Sequence, residues 1–131
     1  MRVADDRGSS VVDFVLVSTL LVFLLFAVLQ VAVLVYVRNV SAAAAADGAR
    51  HGAELGSLPG DGAVRAVDLV RKAMPGVAQG IRCAETFGLD DASDLPTVTV
   101  RCRGSLRAIL LPLHLPLPVD ASSTVLRERG L

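Results

Sequence analysis

From Phe14 to Val37 the chain carries no charged side chain. As a helix that stretch of about 24 residues is roughly 36 Å long at 1.5 Å per residue, enough to cross a bilayer core of about 30 Å. A helix is also the form in which a single segment satisfies its own backbone hydrogen bonds in lipid. The stretch therefore reads as a membrane span. A carboxylate, Asp13, stands at its threshold behind the polar run Arg7-Gly8-Ser9-Ser10. An acid costs roughly 2.5 to 3.5 kcal/mol at the centre of a span and less near the interface, so Asp13 wants a physical reason.

Of the 131 residues, the span leaves about 90 for everything else, which is one small domain whose core is marginal unaided. Charge is balanced, with 13 Lys and Arg against 13 Asp and Glu. That balance gives no basic patch for nucleic acid. The lack of Trp and an aromatic content of 4% weaken any case for base stacking or a sugar platform.

Good helix formers from Arg38 to Glu54 carry the first helix past the span, to about Ser10–Leu55 in all. Asp47/Arg50 and Arg50/Glu54 stand at i,i+3 and i,i+4 spacing to support it. Gly56, Pro59, Gly60 and Gly62 then break the chain. A second helix, about Gly62–Met74, is expected to turn Val64, Val67, Val70 and Met74 inward, with Arg65, Asp68 and Lys72 outward. After Gly80 the period becomes two. Ile81, Cys83, Glu85 and Phe87 share one strand face, and Val98, Val100 and Cys102 share one face of a second strand over Thr97–Arg103. Glu85 breaks the apolar pattern of its face. From Leu106 to Val119 leucines alternate with Pro112, His114, Pro116 and Pro118, which excludes a central strand and predicts an extended edge segment with Leu111, Leu113, Leu115 and Leu117 inward. Val119–Arg127 reads as a third strand. The expected fold class is α+β: a long N-terminal transmembrane helix continuing into a small domain with a second helix and a short antiparallel sheet of about three strands.

Cys83 and Cys102 are too far apart for a redox CxxC and too few for a zinc site without nearby histidines. An exported domain this small gains from a disulfide, worth about 3 kcal/mol for a loop of this length in the chain-entropy model. Both cysteines fall on the apolar face of the candidate hairpin, which favours the bridge over two buried thiols. Counting positive charges around the span does not orient it, because Arg2 and Arg7 are offset by Asp5 and Asp6 while Arg38 flanks the far end.

Candidate chemistry is sparse. His51 and His114 have no ligand spacing, and Asp90, Asp91 and Asp94 lack the glycine and distal glutamate of a calcium loop, so they read as a solvated hairpin connection. No nucleophile elbow surrounds Ser122 or Ser123. Catalysis, a metal and a cofactor are not expected, nor is a small-molecule substrate.

The segment Arg7-Gly8-Ser9-Ser10-Val11-Val12-Asp13-Phe14 resembles the processing site of type IV prepilins. There a dedicated peptidase cuts after glycine and the fifth mature residue is acidic, followed by an aromatic in the Tad (Flp, tight adherence) subgroup. Downstream, Tyr36-Val37-Arg38-Asn39-Val40, the run Ala42–Ala46, and Asp47-Gly48-Ala49-Arg50-His51-Gly52-Ala53 resemble the helix end of TadE-like pilus assembly proteins. Val119–Arg127 is similar to that family's terminal strand. The resemblance covers the chain up to about Ala53 and again over this tail segment. It implies cleavage between Gly8 and Ser9, with Asp13 in the fifth position meeting the freed amine of Ser9, and Phe14 beside it in helix contacts. Asp13 departs from the family's usual Glu by one methylene.

On this reading residues 1–8 are a leader, 9–55 the transmembrane and extended helix, and 56–131 a small extracytoplasmic domain. The implied protein is a minor pilin or pseudopilin, single-pass in the cell membrane with its N-terminus cytoplasmic. Its partners would be other pilins and the prepilin peptidase. Three alternatives stand beside it: a plain membrane anchor, a secretory signal cleaved within Ser41–Ala46, and a membrane-tethered extracytoplasmic binding domain that never enters a filament. The alanine run itself reads as a surface that lets a neighbouring helix approach closely.

Overall fold

In a computed structural model, described over residues 7–107 and 116–127, the chain forms two α-helices and one three-stranded sheet. Helix α1 spans Arg7–Ala53 in 47 residues, about 70 Å at 1.5 Å per residue. No proline or glycine interrupts it between Ser9 and Asp47, which is why it passes from the apolar segment into the domain as one continuous helix. It starts a turn earlier than the sequence predicts. Within the apolar segment Thr19 satisfies its hydroxyl by donating to the Val15 carbonyl at 2.7 Å, the local arrangement that lets a threonine sit in a span. At the other end the Ser57 hydroxyl donates to the His51 carbonyl at 2.5 Å. Gly56 then takes a left-handed φ of 92° that turns the chain out of the helix.

Helix α2, Asp61–Ala73, runs back along α1. Its inward face differs from the one expected: Gly62, Ala66, Val70 and Met74 are buried, while Val64 is 70% exposed. Small residues displace the valine stripe because α1 offers small residues in return. A Cβ built on Gly62 would lie 2.5 Å from the Gly48 carbonyl, and one on Gly48 would lie 2.9 Å from the Ala66 Cβ. Only glycines let the two backbones meet at this crossing. The helix close to the alanine run is thus the chain's own α2, packed against Ala44, Ala45 and Ala49, which are all buried.

The sheet is antiparallel in the order β1-β2-β3, with β1 Ile81–Leu89, β2 Pro96–Arg107 and β3 Pro116–Leu126. Each strand is longer than expected. Pro116 and Pro118 fall on β3, an edge strand, where a missing N–H is tolerated. Leu106 pairs with Leu117; the expectation for Leu111, Leu113, His114 and Leu115 lies outside the described residues. The turn from β1 to β2 is the solvated connection expected: Asp90 accepts from the Ser93 amide at 3.1 Å and hydroxyl at 2.6 Å.

One sheet face covers the helices. Val37, Ala44, Ala45, Ala49, Ala66, Val70, Met74, Ile81, Val100, Cys102 and Val119 form one apolar core. Cys83 and Cys102 are directly opposed in the register and joined by a disulfide. The other face is polar: Thr99 and Thr124 share a hydrogen bond of 2.8 Å, and Arg101 forks onto Asp120 at 2.8 and 2.5 Å. That charge-assisted pair holds the Asp120 carboxyl below its usual range and raises the Arg101 guanidinium above its own.

Glu85, which sequence periodicity cannot place, has a role in this packing. Its Oε2 accepts the amides of Gly60 at 2.8 Å and Gly62 at 3.2 Å, so a carboxylate from β1 caps the N-terminus of α2. Unpaired amides and the helix dipole both favour a negative charge there. Oε1 is buried without a partner beside Gly52, where a Cβ would come to 2.5 Å of it.

Candidate assembly surface

Helix α1 presents two surfaces of different character. Toward the domain, Val37, Ser41, Ala44, Ala45, Gly48, Ala49, Gly52 and Ala53 recur at three- and four-residue spacing and are buried. From Val11 to Tyr36 almost every large apolar side chain is exposed on all sides of the helix, among them Phe14, Phe23 and Leu24. A helix apolar all round belongs inside lipid or among other helices. By length and composition this one can cross a membrane. Among the described residues, most of α1 below Leu34 is thus left without a protein partner, with Asp13 near its start.

Asp13 and Phe14 lie on consecutive exposed positions near the start of this surface. Gly8 and Ser9 are in the first turns of α1, their side-chain surroundings outside the description. The helix runs through the Gly8–Ser9 bond, so the geometry brings together the positions that the resemblance singles out on one continuous element. Cys83 and Cys102 are remote from them and close the sheet instead.

The intrahelical pairs expected at the upper end of α1 are replaced. Asp47 bonds Arg65 of α2 at 2.9 Å, and Glu54 faces His51 at 3.3 Å. Asp47 therefore clamps two helices instead of supporting one. Beside it Val40, Ala43, Leu69 and Ala73 line an open groove of about 580 Å³ between α1 and α2. Asp68 pairs with Lys72 at 2.7 Å, and that bond lowers the Asp68 carboxyl below its usual range. Among the described residues no group of three His, Cys, Asp or Glu could hold a metal.

The described residues thus combine a long helix, apolar enough to cross a membrane and bearing one acid near its entry, with a small disulfide-closed α+β domain at its exit. The family model described as TadE-like protein matches residues 8–50, which is α1 from the proposed cut site to its last turn. Over that segment, about a third of the chain, the sequence is similar to TadE-like proteins. No curated protein matches, and no solved structure does.

The sequence missed Glu85 and the Gly48/Gly62 contact. A glycine pair on two amphipathic helices was the one available signal for the second. For the first there was none, since the carboxylate meets amides 25 and 23 positions away.

Proposed function

We propose that the chain is a minor pilin or pseudopilin of Tad-type pili, a non-enzymatic component whose α1 is stored in the membrane and then packs among other pilin helices. One observation carries this reading: the TadE-like match coincides with α1, whose lower half exposes apolar surface all round with a single acid at its start. On this reading the prepilin peptidase removes residues 1–8, Ser9 becomes the N-terminus, and residues 56–131 stand outside the membrane. The first turns of α1 must unwind for the peptidase to reach the bond after Gly8.

Asp13 then meets the Ser9 amine of a neighbouring helix. Either charge alone is costly in a low dielectric, and together they favour one axial register. N-terminal sequencing of protein from the envelope tests the cut: a start at Ser9 supports it. An intact Met1 removes the pilin reading, and a start among Ala43–Asp47 replaces it with a secretory one. Asp13→Ala should leave that cut and the folded domain intact while lowering incorporation into pili, and Asp13→Glu should restore it. If Asp13→Ala assembled as well as the wild type, the acid would be incidental to assembly.

A further inference from the structure

Charges after Ser41 balance, ten Lys and Arg against ten Asp and Glu, but they are polarised along α1. Leu34 and Val37, the last turn of the apolar run, are packed into the domain core. About 20 residues of helix fill a hydrocarbon layer of about 30 Å, so Phe14–Val37, at about 24 residues, brings its final turn and the floor of the domain to headgroup depth. Arg38 follows at once. Asp120, Ala121 and Ser122 flank Val35, Arg38, Asn39 and Ala42, which puts their register partners Arg103 and Arg101 at the same level, with Arg82 opposite Arg103.

Helix α2 returns to that level too. Leu69 and Ala73 sit across from Val40, Ala43 and Ala44, carrying Arg71 and Lys72 down with them. Among the described side chains six cations ring the floor, Arg38, Arg71, Lys72, Arg82, Arg101 and Arg103, against the two carboxylates Asp68 and Asp120. Among the described residues Arg38, Arg71 and Arg82 form no salt bridge, since the five pairs found use other cations. Acids collect at the opposite end, where Glu54, Asp61, Asp90, Asp91 and Asp94 lie past the helix crossing or in the far hairpin turn.

We propose that this ring is a lipid-facing collar, which seats the domain on anionic phospholipid headgroups while α1 is in the bilayer. The proposal rests on α1 spanning the membrane, and it requires no filament. Two features favour a lipid surface over other anions: the cations come from α1, α2, β1 and β2 instead of lining one pocket, and they gather beside the end of the apolar run. Screening within about 8 to 10 Å confines the attraction to the floor, so the acidic end feels little of the membrane charge. Each collar arginine should favour the seated position about fivefold on an anionic surface.

The chain has no Trp, so single tryptophans report depth without background. Full-length protein carrying Phe26→Trp, Gln79→Trp or Leu58→Trp is reconstituted into phosphatidylcholine vesicles with and without phosphatidylglycerol. Quenching by lipids brominated near the headgroup end of the acyl chains is then measured. Gln79→Trp at the floor should be quenched more in the anionic vesicles, with the gain lost at high salt and in the Arg71→Gln/Arg82→Gln background. Leu58→Trp at the far end should stay unquenched in both. Equal quenching of Gln79→Trp in the two vesicle types, or a gain that survives the double substitution, overturns the collar. So does quenching that follows protein density instead of lipid charge, which would make a second copy's acidic end the occupant. Unquenched Phe26→Trp marks the separate failure of the spanning helix, which takes the collar with it.

Discussion

Replacing Glu85 by alanine tests the most specific long-range contact in the domain. The carboxylate gives α2 two charge-assisted hydrogen bonds, to the amides of Gly60 and Gly62, and it compensates the positive end of the helix dipole. Together these are worth about 3 kcal/mol. Against that, Oε1 is buried beside Gly52 with no partner, a desolvation cost of about 1 to 2 kcal/mol. The difference leaves about 1.5 kcal/mol in favour of the cap, similar to the loss of a good N-cap residue. Because α2 is a separate element held by α1 and β1, the loss should appear first as local opening. Hydrogen exchange of full-length protein in detergent, read by mass spectrometry on peptides covering Asp61–Ala73, should accelerate about tenfold in Glu85→Ala, since about 1.36 kcal/mol is a factor of ten. Exchange in α1 should change little. A rate within twofold of wild type over α2 would refute the argument, showing that the desolvation of Oε1 cancels the cap.

Gly48→Val should destabilise the domain by about 2 kcal/mol in denaturant unfolding, because its side chain enters the space held by the Gly62 carbonyl and the Ala66 methyl. Cys83→Ser/Cys102→Ser should lower stability by about 3 kcal/mol, while wild-type protein from the envelope should take up no thiol label under non-reducing conditions. For Asp120 the sign follows from its depressed carboxyl: the contribution is present above the ordinary carboxylate value near 4 and is lost as pH falls through the lower folded value. Wild type should therefore lose more stability than Asp120→Asn between pH 5 and pH 3 at roughly constant salt, measured by thermal unfolding; equal losses would remove the Arg101 pair as the cause.

The elements most legible in the sequence were those whose signal is local. An uncharged apolar run as long as Phe14–Val37 needs no tertiary context to be a helix, and Gly56, Pro59 and Gly60 end α1 without help. The hairpin and its disulfide were readable because alternation puts Cys83 and Cys102 on one face, and the register opposes them. Helix α2 was found, with Val70 and Met74 buried as expected, but the Gly62 and Ala66 part of its inward face was not. Hydrophobicity chose Val64, whereas the crossing with α1 is decided by how closely two backbones can come, and glycine and alanine carry no hydrophobic signal. Asp47 was misassigned for a related reason: helical spacing offered Arg50, but α2 brings Arg65 within 2.9 Å. The proposed cut site and role of Asp13 rest on resemblance alone, because among the described residues no contact explains Asp13.

The continuity of α1 bears on how such a protein must work. Soluble domains tethered to membranes are often carried on linkers rich in glycine, serine or proline, which let the domain tumble above the bilayer. Here Leu34 and Val37 belong both to the end of the apolar run and to the packing of the domain, which Val40 continues one turn on, and no glycine or proline separates the two roles. A rotation or lift of the span is therefore a rotation or lift of the domain. If α1 spans the bilayer and the proposed collar meets headgroups, then with no hinge to absorb the motion, extraction of α1 from lipid has to break those contacts in the same step. Repacking α1 among other helices would then fix the position of the domain around them as well as its height.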